Sequence, residues 1–250
     1  MKIAVCVSHV PDTATRIKIG ADRKSIDPTG VTFIINPYDE FAVEEALKTK
    51  EKVGGDSLVY AISLGGDANK ETLRKALAMG ADEAILLKDD NPRDSFGIAK
   101  ALSEEIKSLG CELVFFGKQS VDYDSSITGQ ITAEMLNYNC VPVVVEFKLD
   151  GNKITAEREI EGGREVVETE LPAIITAQKG LNEPRYASLK GIMAAKKKVI
   201  AEKPAADAVS YTEIIDMNLP PTKQPGRIIG TDSSAVPELV KLLREEAKVI

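Results

Sequence analysis

"GKQSVDYDSSITGQITAEML", residues 117–136, decides how this chain of 250 residues is read. It leaves an apolar run, Leu113-Val114-Phe115-Phe116, and enters a helical pattern. An apolar run that opens through a polar loop into a helix is the repeating unit of a parallel α/β sheet. Open sheets of this kind bind ligands beyond the carboxyl ends of their strands, phosphates above all. The loop has no GxGxxG or Walker spacing, and it carries two carboxylates, Asp122 and Asp124. Ser125, Ser126 and Thr128 can offer hydroxyls and amides to a phosphate, while the carboxylates suit a ribose hydroxyl, an adenine amino group or a helix cap. Spacing alone accounts equally well for a loop in which Asp124 and Ser125 only cap the helix.

Working outward, short Val/Ile/Leu-rich runs alternate with helical patterns. Residues 2–7, 31–35, 58–64, 84–87 and 112–116 read as strands buried on both faces. The first helix starts at Asn36-Pro37, a second ends at Gly80, and a third runs from Asp94 or Ser95 to Gly110. Four segments then converge at one end of the sheet: Cys6-Val7-Ser8, Asn36 to Asp39, the glycine-bearing Ser63 to Asn69, and Gln119 to Gln130. Cys6, inside an apolar run, reads as a small core residue.

Beyond Pro142 the pattern alternates, with turns at Asp150-Gly151 and Gly162-Gly163. Three antiparallel strands are predicted there, extending or flanking the sheet. The charges from Arg158 to Glu165 read as a solvated face, and Lys196 to Lys198 as a solvated helix end. Glu183-Pro184-Arg185-Tyr186 predicts a stiff turn presenting Leu181, Arg185 and Tyr186, residue types that anchor interfaces. Residues 200–230, rich in Pro, Ala and Asp, predict an extended arm. A terminal helix follows with Val236, Leu239, Leu242 and Leu243 on one face. The division expected is an α/β nucleotide-binding domain over residues 1–199 and a partner-wrapping arm and helix over 200–250.

Composition narrows the chemistry. A net charge of −7 argues against nucleic acid as a partner. Three scattered cysteines and a single histidine, His9, leave no metal site, disulfide frame or Ser-His-Asp triad. No apolar stretch approaches the ~18 residues of a membrane span and no signal peptide is evident, so no membrane insertion and a cytoplasmic location are expected.

Five motifs, in order, resemble the electron-transfer flavoprotein β subunits: "NPYDEFAVEEAL", "ALAMGAD", "GKQSVDYDSSITGQ", "AEREIEGGREVVETELPAIIT" and "LNEPRYASLKGIMAAKKK". The resemblance covers essentially the whole chain. It implies an open, mostly parallel sheet flanked by helices, like the adenine-nucleotide α-hydrolases, with the antiparallel extension and C-terminal arm described above. It implies a heterodimer with an α subunit that holds most of the FAD site. It also implies a structural AMP in this chain, bound by segments matching Cys6, Asn36, Pro37, Tyr38, Asp39 and Leu64. The loop Gln119, Ser120, Val121, Asp122, Tyr123, Asp124, Ser125, Ser126, Ile127, Thr128, Gly129 and Gln130 completes that set. The recognition segment of the family matches Leu181, Asn182, Glu183, Pro184, Arg185 and Tyr186, with Leu181 as anchor for a dehydrogenase. The implied role is an electron carrier without catalytic residues of its own, taking electrons from acyl-CoA dehydrogenases and passing them to a quinone oxidoreductase. Two departures stand out: Thr13 occupies a place where the family often has tyrosine, and Tyr123 interrupts what is often an unbroken acidic run. "VPDT" also occurs in the electron-bifurcating branch, whose β subunit holds a second FAD and uses NADH. A stand-alone nucleotide-binding stress-type protein is the alternative from another class.

Overall fold

The computed structural model describes residues 1–223 and 225–250. Eleven strands and six α-helices follow one another along it. In the first half these are β1 (Lys2–Cys6), β2 (His9–Pro11), β3 (Phe33–Ile35), α1 (Pro37–Val53), β4 (Leu58–Gly65), α2 (Asn69–Met79), β5 (Glu83–Lys88), α3 (Ser95–Leu109) and β6 (Leu113–Gly117). The second half has α4 (Thr128–Leu136), β7 (Asn139–Asp150), β8 (Lys153–Ile160), β9 (Gly163–Glu170), β10 (Ala173–Ala177), α5 (Leu189–Lys197), β11 (Ile200–Pro204) and α6 (Val236–Glu245).

Nine strands form the main sheet in the order β11-β5-β4-β1-β6-β10-β7-β8-β9. All pairings from β11 across to β7 are parallel, and the β7-β8-β9 edge is antiparallel. Alternate residues point to opposite faces, and each face has its own core. Ile3, Val5, Leu113, Phe115 and Ile175 pack with Ala42, Ala46 and Leu47 of α1, Leu73 and Ala76 of α2 and Ala195 of α5. Ala4, Cys6, Val114, Phe116 and Ile174 pack with Ala101, Leu102 and Ile106 of α3 and Ala133 of α4. Every one of β1, β6 and β10 therefore needs apolar residues in both registers, which is why they read as continuous apolar runs. Chain order reverses between β1 and β6, the kind of point over which open sheets form their ligand crevice.

Three expectations need correction. The predicted strand 31–35 is not in the main sheet: β3 pairs antiparallel with β2 in a separate two-stranded sheet. The chain makes a long excursion after β1, and β2 and β3 close it. The run after Pro172 is a central strand, β10, inserted in parallel between β6 and β7. Residues 200–204, read as the start of the arm, are the edge strand β11, parallel to β5. With only Ile200 of the five buried, a strand there leaves almost no apolar signature.

From Ala205 to Asp232 the described residues form no regular element, and from Ala201 onward none is buried. This arm lies along the body through polar contacts. Asp94 Oδ2 accepts from the Tyr211 and Thr212 amides at 2.6 and 3.0 Å, and Arg93 Nη1 donates to the Ala206 carbonyl at 2.7 Å. Further on, Arg23 pairs with Asp216 and Lys24 with Glu213. Among the described residues no helix is long and apolar enough to cross a membrane.

Candidate functional site

Two side chains at the start of α1 fasten the crevice together. Asn36, fully buried, donates from Nδ2 to Asp39 Oδ1 and to the Gln119 carbonyl, both at 2.8 Å, and its Oδ1 accepts the Val121 amide at 3.2 Å. Asp39 accepts the Ser8 amide on Oδ2 at 2.7 Å and the Gly117 amide on Oδ1 at 3.1 Å. The ends of β1 and β6 and the loop after β6 are thus tied to one helical turn. Pro37 suits that turn because the first helical amides need no intrahelical partner. Gly117 is required by close approach: a Cβ there would lie 2.3 Å from Asp39 Oδ1. Burial pushes the Asp39 carboxyl up to about 7, against three donated hydrogen bonds that favour its charge. Asn36 and Asp39 spend their polar atoms inside the protein, so they shape the crevice rather than line it.

The loop itself is organised by Gln119. Its Nε2 donates to Asp124 Oδ1 at 2.5 Å and its Oε1 accepts from Ser126 Oγ at 2.8 Å. Ser125 Oγ meets Ser95 Oγ of α3 at 3.2 Å. Asp124 and Ser126 adopt left-handed φ values of 51° and 53°, strain of the kind that collects at binding sites. Ser120 and Val121 begin the loop, Asp122 accepts the Tyr123 amide, and Tyr123 and Ile127 are exposed. Asp124 and Ser125 do not cap the helix. The cap residue of α4 is Ile127, which has no side-chain acceptor, so the amides of Thr128, Gly129 and Gln130 have no side-chain cap. The capping reading of Asp124 and Ser125 therefore falls, because two left-handed residues, Asp124 and Ser126, delay the helix start.

Gln130 supplies the clearest vacancy in the hydrogen bonding. Its Nε2 donates to the Ser126 carbonyl at 2.7 Å, while its buried Oε1, like Asn182 Oδ1 elsewhere, has no partner among the described residues. Gly129 lets α4 pack on the sheet, since a Cβ would lie 2.8 Å from Thr176 Cγ2. The β4–α2 turn is shaped by Asn69, whose Nδ2 donates to Ser63 Oγ at 2.9 Å and to the Leu64 carbonyl at 3.0 Å. Cys6 lies in the core with its thiol pushed well up by burial, as its apolar run suggested. His9 stacks on Phe33 and meets Thr72 Oγ1 at 2.9 Å through Nδ1. Among the described residues no cluster of His, Cys, Asp and Glu is built to hold a metal.

The segment from Leu181 to Tyr186 is mostly not a free surface. Leu181 is half-buried against the core. Asn182 Nδ2 donates to the Phe41 carbonyl and to Glu45 Oε2, and Arg185 is held by Glu44 and Glu51. Glu183 is exposed, Pro184 half-buried, and Tyr186 is 99% exposed. The apolar surface continues instead onto α5, where Leu189 is 78% and Met193 55% exposed. The signal for these two residues is the i, i+4 apolar spacing in "LKGIM", which puts Leu189 and Met193 on one helix face. Lys198 is not solvated either: its ammonium donates to the carbonyls of Ala81 and Asp82.

A mostly parallel sheet flanked by helices, with a polar loop cluster over its switch point, defines an open-sheet α/β protein. The family model described as the electron transfer flavoprotein domain matches residues 25–208. The chain is 39% identical over its full length to the electron transfer flavoprotein subunit beta of Bacillus subtilis, which is covered completely. It is 42% identical to the protein of the same name from Syntrophomonas wolfei, with 90% of this chain and 88% of that one aligned. The mouse protein is 36% identical, over 98% of each chain. The chain belongs to the electron transfer flavoprotein family, as the motifs implied.

Proposed function

We propose that this chain is the β subunit of a heterodimeric electron carrier and that it binds a structural AMP in the crevice above β1 and β6. The observation that carries the nucleotide reading is the start of α4. Its first-turn amides have no side-chain cap, and beside them Gln130 Oε1 is buried without a partner. Those amides and the Ser125 and Thr128 hydroxyls would take the phosphate, the Ser126 hydroxyl being spent on Gln119. Asp124 does not prevent this, because its carboxylate is held by the Gln119 amide. Asn36 and Asp39 would keep the loop in place, and the backbone of Leu64 to Gly66 would line the neighbouring wall.

FAD, held mostly by the α subunit, would supply the electron transfer itself. This chain's own tasks are to hold the α subunit and to seat the electron donor. The arm and α6 suit the first task, because Val236, Leu239 and Val240 are exposed apolar residues on a helix. For the second we place the anchor at Leu189, with Tyr186 and Met193 beside it and Lys190 on the rim, rather than at Leu181. The donors are acyl-CoA dehydrogenases and the acceptor is a quinone oxidoreductase.

Mass spectrometry of the nucleotides released from the purified heterodimer tests the cofactor reading. One FAD and one AMP per heterodimer are expected; two FAD and no AMP would overturn it. Flavin reduction by a substrate-reduced acyl-CoA dehydrogenase tests the donor, and no reduction by any such enzyme from the same cell would remove it.

A further inference from the structure

The ridge that carries Tyr186 and Leu189 is gripped from below by a charge that is almost entirely out of water. We infer that Glu44 is a positioning residue for docking of the electron donor, fixing the ridge in its bound shape before the partner arrives. The inference rests on the docking reading above.

The Glu44 side chain is 7% exposed. Its Oε2 accepts both the backbone amide of Arg185, at 3.0 Å, and Arg185 Nε, at 2.8 Å. Its Oε1 accepts Arg185 Nη2 at 3.0 Å. One carboxylate therefore fixes the backbone and the side chain of the residue immediately before Tyr186. Glu51 takes the outer edge of the same guanidinium, at 2.6 and 3.2 Å. Asn182 adds a second tie to α1 through the Phe41 carbonyl and Glu45. On the far side α5 is seated as firmly. Gly191 lies so close to α2 that a Cβ would be 2.5 Å from the Ala78 carbonyl oxygen, and Arg74 Nη1 donates to the carbonyls of Ala195 and Lys198.

Burying a carboxylate against a guanidinium that is itself one-third exposed is a poor way to gain stability, because the desolvation penalty rivals the attraction. A bidentate pair does give geometric precision. Precision is what an exposed tyrosine and leucine need, since a ridge already in its bound shape loses less freedom on docking. The clamp thus has a reason beyond holding the fold.

The test uses the assembled heterodimer with E44Q, which keeps the side-chain shape and removes the charge. Trypsin cleaves after arginine, so the rate of cutting at Arg185–Tyr186 reports the clamp without any partner. Cutting is expected to rise by about tenfold, following the equilibrium population of the opened segment. The apparent KM for the reduced dehydrogenase is expected to rise roughly three- to tenfold, with kcat within about twofold and bound nucleotide unchanged. E51Q, which removes only the exposed half of the clamp, should move both readings less. Wild-type cutting and KM in E44Q would overturn the inference, and so would faster cutting with an unchanged KM. Leu189→Ala separates this inference from its premise. If it raises KM while E44Q does not, positioning alone falls. If Leu189→Ala leaves KM unchanged, the docking reading falls and takes the inference with it.

Discussion

Leu189 and Met193 on the α5 ridge and Val236, Leu239 and Val240 on α6 are all exposed apolar residues, yet they are held in very different ways. Under the ridge lie the buried carboxylates of Glu44 and Glu45, the packed Leu181 and the buried Ala195. The arm that leads to α6 has no buried residue among those described, and beyond the Arg93 contact at its start its ion pairs lie in solvent. A surface held by buried groups is shaped in advance for a partner that comes and goes. A surface held by exposed ion pairs gains most of its order from the partner it meets, and suits a permanent one.

Removing the arm should produce the largest effect. A chain ending at Ala208 is expected to fold with nearly the thermal midpoint of the full chain, because no described residue of the removed segment is itself buried and its main apolar contact is Tyr211 against Phe96. It should fail to assemble with the α subunit. Size-exclusion chromatography of the co-expressed pair reads this directly, and a stoichiometric complex would show that the arm is not the attachment.

Buried and exposed carboxylates should also titrate in opposite directions. The Asp39 carboxyl is raised by burial to about 7, so its folded value lies above the unfolded one of about 3.9. The folded state then binds more protons between those values. Its contribution to stability is complete below about pH 4 and is lost as pH rises to about 7, by up to ~1.4 kcal/mol per pH unit. Carbon-detected NMR of the Asp39 carboxyl should find its midpoint near neutrality. A midpoint close to 4 would mean that the hydrogen bonds from Ser8, Asn36 and Gly117 outweigh burial.

The two leucines flanking the clamp sharpen the contrast within the ridge itself. Leu189→Ala should weaken donor docking by roughly 1–3 kcal/mol and leave the thermal midpoint in place, as an exposed anchor does. Leu181→Ala should do the reverse, lowering stability by about 1–3 kcal/mol because a half-buried leucine leaves a partial cavity, with KM unchanged. Reversed outcomes would return the anchor to Leu181.

How far the sequence could be read follows the same division. The parallel strands and their helices were legible because burial on both faces writes continuous apolar runs and because Asp94, Gly80 and Gly110 mark helix ends. The place of β10 in the sheet was not, since its apolar run shows a buried strand but not that its partners are β6 and β7, far away in the chain. β11 was hidden because an edge strand with one buried residue looks like a linker. At the crevice, the four converging segments were found from strand ends alone. The roles within them were not: that Asn36 and Asp39 staple the loop depends on hydrogen bonds spanning 31 to 85 residues. The clamp on Arg185 was equally invisible, because Glu44 and Glu51 look like any acidic helix face until Arg185, 134 to 141 residues away, is folded against them.

The smallest effect is expected where the arm is weakest. Arg23 donates to Asp216 through Nε and Nη2, at 2.6 and 2.8 Å, and to Asn218 at 2.8 Å, with 59% of the arginine and 40% of the aspartate side chain exposed. The Asp216 carboxyl is held below its ordinary value by that arginine, so the grip is present above the unfolded value and lost as pH falls through the folded one. In the isolated chain, Arg23→Ala should speed amide exchange over residues 213–218 and leave the thermal midpoint unmoved. Added salt should do the same to the wild type, because exposed pairs are screened. In the heterodimer the variant should exchange like the wild type, the α subunit having taken over the ordering of the arm. If Arg23→Ala instead speeded exchange in the heterodimer as much as in the isolated chain, the α subunit would not be ordering the arm, and the contrast between a ridge shaped in advance and an arm shaped by its partner would be lost.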